Sequence, residues 1–116
     1  MSVAQGAALA AIANQLATAL DSYESEIEVM AAHPQDPEAY RRVSGRMDQM
    51  RLYASALPQL SVPWVELLIR HFELMHGIWQ LQQHKMKSDE LSVLREQHRS
   101  SVTSVSSRVR LIFTQH

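Results

Sequence analysis

Cysteine is absent from this 116-residue chain, so disulfides, thiolate nucleophiles and zinc–sulfur sites are excluded, and a reducing compartment is the natural setting. Glycine and proline are scarce, three and four in all, which leaves few points at which a helix must break. No stretch approaches the ~18 apolar residues needed to span a bilayer. The Ala- and Leu-rich start lacks the basic lead of a signal peptide and is interrupted by Asn14 and Gln15. A cytoplasmic location without membrane contact is expected. Lys and Arg are missing from the first 38 residues, which hold Asp21, Glu24, Glu26, Glu28, Asp36 and Glu38, whereas all 11 basic residues come later. With a net charge of −1 and no long basic face interleaved with aromatics, direct nucleic-acid binding is not expected. An acidic helix packed against a basic neighbour accounts for the asymmetry.

What is present is an ordinary globular composition, 46% hydrophobic and 20% charged. The length suits a single domain over 1–116, whose folding hides roughly two-thirds of the surface exposed by the unfolded chain. Apolar residues recur at three- and four-residue steps, the signature of helices with one buried face. Leu9, Ile12, Leu16, Leu20, Tyr23, Ile27 and Met30 make one stripe, ended by Pro34. Asp36-Pro37-Glu38 reads as a capped restart, followed by Tyr40, Val43, Met47, Met50, Ala54 and Leu57 up to Pro58. Gly45 is a weak point inside that helix. Ser61 is a candidate cap for a long third helix, and Ser88-Asp89-Glu90 opens a fourth with Leu91, Leu94, His98, Val102, Val105, Val109 and Ile112 on one side. The Ser- and Val-rich segment 102–113 could pass for a strand but lacks a partner, so helix is the reading taken. The expected fold is all-α, a bundle of about four helices near 3–33, 37–57, 62–87 and 89–114.

Chemistry-bearing constellations are weak. His71 and His76 are five apart and Glu73-x-x-His76 occurs once, whereas di-iron bundles need that spacing on two helices. Glu24, Glu26 and Glu28 splay around a helix and read as a solvated surface. Arg41-Arg42-Val43-Ser44-Gly45 has Arg where a phosphotransfer domain needs its histidine. No nucleophile elbow, phosphate loop or dinucleotide fingerprint is present. No catalytic residue, metal or cofactor is therefore expected.

The third helix carries more information. Val65, Leu68, Ile69, Phe72, Met75 and Trp79 share one face, the expected core stripe. Leu67, Leu74, Ile78 and Leu81 cluster within about 60° on the opposite face. Burying four such aliphatics is worth roughly 6–12 kcal/mol, so water is a poor environment for them. Either the helix is central or this second stripe meets another chain. The candidate partner-binding residues are Leu67, His71, Leu74, Ile78 and Leu81. Met47, Met50, Met75 and Met86 read first as core filling, and their flexible side chains would also suit an adaptable surface.

In Leu68-x-x-x-Phe72-Glu73-Leu74-Met75-His76 and the run Ala56-Leu57-Pro58, the chain resembles TraM-type anti-activators. That resemblance implies a small, non-catalytic helical regulator, dimeric, that masks a quorum-sensing, LuxR-type transcription factor through hydrophobic helix faces. It carries over no catalytic residue. The alternative is a small secretion or flagellar export chaperone holding an export substrate.

Overall fold

The structure, a computed structural model, describes residues 3–115. Helix α1 runs Val3–Ala32, α2 Pro37–Ser55, α3 Ser61–Gln82 and α4 Ser88–Gln115, with a 3-10 turn at Pro58–Leu60. The described residues contain no strand, so the Ser- and Val-rich end is helical like the rest. The chain is an all-α bundle with principal-axis extents of 54 × 24 × 17 Å. Successive helices run up and down. The close pairs are α3 with α4, α1 with α2 and α1 with α4, while α2 and α3 meet at few points.

Local rules account for most boundaries. Asp36 caps α2 by accepting from the Glu38 N–H at 2.9 Å, and Pro37 takes the first helical position, where a missing donor costs nothing. Two boundaries differ from expectation. Ser61 does not cap α3: it is already helical, the preceding residue is Leu60, and no side chain caps that end. The turn at Pro58–Leu60 feeds directly into α3 instead, with Leu57 and Leu60 buried there.

Helix α3 also stops at Gln82, five residues short of Lys87. His84 takes φ 57°, the Lys85 N–H donates to the Gln80 carbonyl at 2.8 Å, and the His84 N–H donates to that of Leu81 at 3.1 Å. This is a Schellman closure with histidine where glycine is usual, so no glycine marks the stop.

The core is built from Leu16, Leu20, Tyr23, Ile27 and Met30 of α1, Val43, Met47 and Met50 of α2, Leu67, Leu74 and Ile78 of α3, and Val102, Val105, Val109 and Ile112 of α4. Helix α1 is long and apolar enough, by length and composition, to cross a membrane, which its sequence was not expected to allow. In this fold its apolar stripe faces the core. At Gly77 α3 lies tightly against side chains of α4: a Cβ there would lie 2.6 Å from Leu94 Cδ1. Gly45 is different, with nothing within 4 Å of a Cβ built on it. Replacing Gly45 by Ala should therefore raise stability by about 0.5–1 kcal/mol, read as a higher urea midpoint at unchanged m-value. An unchanged or lower midpoint would show that the solvent side of α2 is not free at this position.

Candidate protein-binding face

The structure exchanges the two faces of α3. Leu67, His71, Leu74 and Ile78, the candidate partner contacts, are buried inside this chain, and Leu81 is half-buried at their end. They face the core, so they are unavailable to a partner. Val65, Ile69, Phe72 and Trp79, expected in the core, lie in water, while Leu68 and Met75 at the edge of that face are half-buried.

Extended by Val62, the outer row reads Val62, Val65, Ile69, Phe72, His76, Trp79, a 3-4-3-4-3 spacing. The exposures of its apolar members are 68, 52, 54, 61 and 48% in that order, without His76. That is a heptad seam, and among the described residues no helix is laid against it. One flank carries Leu68 and Met75; the other carries Glu66, Arg70, Glu73 and Gln80. Arg70 pairs with Glu73 at 3.1 Å and reaches Gln97 of α4 at 3.3 Å. Next to this flank, a groove of about 410 Å³ runs between α3 and α4, lined by Glu66, Ile69, Arg70, Ser100, Ser101 and Ser104. At the other end His76 stacks on Trp79 with ring centroids 5.8 Å apart, and the Lys85 ammonium sits 5.4 Å from the indole centroid.

The inner face also carries one member of a buried polar cluster. Tyr23 of α1 reaches His71 Nδ1 of α3 and His98 Nε2 of α4 with its hydroxyl, both at 2.7 Å. All three residues are buried. A neutral phenol has one proton, so it donates to one imidazole and accepts an N–H from the other. Among the described residues no buried side-chain nitrogen or oxygen lacks a partner. Burial lowers both histidines to about 4; His98 is lowered further by His71, Arg95 and Arg99. Burial, with Glu24 alongside, pushes the Tyr23 phenol far up. The cluster is therefore neutral at pH 7, and it joins three helices at one point.

The sequence did carry a signal for it. Tyr23 and His98 both stand in the apolar register of their helices, and His71 shares a face with Leu67, Leu74 and Ile78. One polar residue in core register on each of three helices suggests a shared buried partner. Periodicity alone does not say that the three lie at the same level.

The charge asymmetry resolves into ion pairs between helices. Glu26 of α1 accepts from Arg46 of α2 at 2.8 and 3.2 Å. Glu28 accepts from Arg95 and Arg99 of α4 at 2.6 and 3.5 Å. The hydrogen bond from Arg95 holds the Glu28 carboxyl below its usual range. The acidic first helix thus lies between basic neighbours. Among the described residues, no group of three His, Asp or Glu side chains could hold a metal ion.

Comparisons with models of known families, with curated proteins and with solved structures find no match.

Proposed function

We propose that the chain is a non-catalytic protein-binding regulator that lays the outer face of α3 against an amphipathic helix of a transcription factor and covers it, as an anti-activator does. The observation that carries this reading is the uncovered heptad row Val62, Val65, Ile69, Phe72 and Trp79. An apolar patch of this size on a folded protein is often functional, and helix-in-groove docking uses this spacing of anchors. The pairing of Glu26 and Glu28 with arginines of α2 and α4 also argues against a DNA-mimicking acidic surface, which needs free carboxylates spaced like phosphates. Masking of a protein surface is then the mode of action.

The test is retention of partners from lysate by the wild-type protein and by Ile69→Glu plus Phe72→Glu, with each captured protein identified. A DNA-binding regulator held by the first and lost by the second is the expected result. Its affinity should change by less than about tenfold between 50 and 500 mM salt, because buried apolar area is little screened. Retention of the regulator by the double variant, or a loss of several orders of magnitude at high salt, overturns the proposal. A secreted or flagellar subunit in its place transfers the reading to an export chaperone.

A further inference from the structure

We infer that in the absence of its target this outer face is covered by a second copy of the same chain, in a two-fold symmetric dimer with the two α3 helices antiparallel. The inference shares with the proposed function the premise that the face docks a helix, and it names what occupies the face at rest.

Area is the first argument. At the recorded exposures, Val62, Val65, Ile69, Phe72 and Trp79 leave on the order of 500 Å² of side-chain surface in water. That is at the upper end of what a monomer leaves in one patch, about 300–600 Å². Two copies meeting here remove at most about 1,000 Å² from these residues. With the half-buried Leu68 and Met75 and the rim of Glu66, Arg70 and Gln80, the total enters the range of about 1,200–2,000 Å² typical of stable specific interfaces.

Self-complementarity is the second. A two-fold axis midway between Ile69 and Phe72 sets Ile69 of one copy on Phe72 of the other, Val65 on His76, and Val62 on Trp79. Each layer then joins a smaller side chain to a larger one, as interdigitating packing requires. The apolar flank agrees with this orientation, since Leu68 meets Met75 there. On the other flank Glu66 comes opposite Glu73 of the second copy, and Arg70, which pairs with its own Glu73 at 3.1 Å, supplies the cation beside them. Parallel pairing is worse, because it places Leu68 beside Glu73 of the second helix and opposes identical residues in every layer. On the α4 side the rim is low: Ser100 and Ser104 have short side chains and line the groove beside Ile69, so a second helix can approach.

The experiment uses the purified full chain alone. Sedimentation from about 1 to 100 μM should show a monomer–dimer equilibrium. Ile69→Glu should weaken it by at least about 100-fold, since two copies of a buried aliphatic are lost at once, with the helical circular dichroism unchanged. The chain has no cysteine, so single-cysteine variants report orientation cleanly. Under mild oxidant, a mixture of Val65→Cys and His76→Cys proteins should give the mixed disulfide dimer in excess over either homodimer. A monomer at 100 μM, a dimer indifferent to Ile69→Glu, or rapid homodimer formation by Val65→Cys alone each overturns the antiparallel dimer. A monomeric protein that still captures a regulator through this face would defeat the dimer and leave the proposed function standing. A dimer that captures no regulator does the opposite.

Discussion

Lowering the pH from 7 to 4.5 is expected to remove about 5 kcal/mol of stability through His71 and His98 alone. Both imidazoles are held neutral in the core at about 4, against 6.5 in a free chain. The folded pKa is the lower one, so between the two values the unfolded chain binds protons that the folded chain does not. Stability is full above about 6.5 and falls as the pH drops toward 4, at about 1.36 kcal/mol per unit for each group. At pH 4.5 this amounts to about 2–3 kcal/mol per histidine, and the pair reaches the lower end of the net stability of a small domain, about 5–15 kcal/mol.

The Tyr23 hydroxyl sharpens the effect. One proton can be added at the remote nitrogen of whichever histidine already donates to the phenol, and both hydrogen bonds survive. A second must go on the nitrogen that accepts from the phenol, and the Tyr23 proton then loses its acceptor. Glu24 of α1 and Arg95 and Arg99 of α4 are the other charges bearing on the cluster. The arginines oppose protonation. Glu28, held low by Arg95, adds its own loss only at more acid pH.

Urea unfolding between pH 4.5 and 6 should therefore give a slope approaching two protons. His71→Gln, which keeps a hydrogen-bonding side chain there, should reduce it to about one. A wild-type slope well below one would mean that the imidazoles are not buried as neutral groups.

Leu74→Glu plus Ile78→Glu is expected to unfold the protein at 25 °C, and Ile69→Glu plus Phe72→Glu to leave it folded. The two pairs sit on one helix within ten residues, yet Leu74 and Ile78 are 0 and 2% exposed whereas Ile69 and Phe72 are 54 and 61% exposed. Truncating a buried Leu or Ile costs about 2–5 kcal/mol, and a carboxylate at the same place adds desolvation with no cation provided to meet it. Together the inner changes exceed about 5 kcal/mol. On the outer face the new carboxylates stay in water, and only association should suffer. Circular dichroism and a melting curve separate the cases. The single variants make the same point: Leu74→Ala should lose about 2–5 kcal/mol and Phe72→Ala less than about 1. A folded inner double variant would return Leu67, Leu74 and Ile78 to the surface and remove the basis for the outer docking face.

Asp36, Pro37 and Pro58 act on their own neighbours in the chain, so the bounds of α2 could be read within two residues. The end of α3 could not. His84 adopts a left-handed conformation that glycine takes at little cost, and a histidine there gives no warning. The pairing of the acidic first helix with Arg46, Arg95 and Arg99 was legible as a tendency, because its four acids, with no base among them, are stabilised beside the bases that follow. Which arginine meets which carboxylate depends on helix levels that the sequence does not state.

The sequence by itself determined that there are four helices, that each has an apolar stripe, and that α3 has two. Helical content and periodicity are local, written every three or four residues. Only the tertiary structure decided which stripe of α3 turns inward. Both stripes repeat with the same period, and the outer one is the bulkier, with Phe72 and Trp79. Counting apolar residues therefore favours the wrong face, the more so because His71 interrupts the inner one. That histidine is tolerable in a core only if its nitrogen finds a partner. The partner is the hydroxyl of Tyr23, 48 positions away, which also satisfies His98 from the fourth helix. A buried polar group is stabilised by atoms brought to it in space. The facing of α3 follows from that three-helix junction as well as from its own residues.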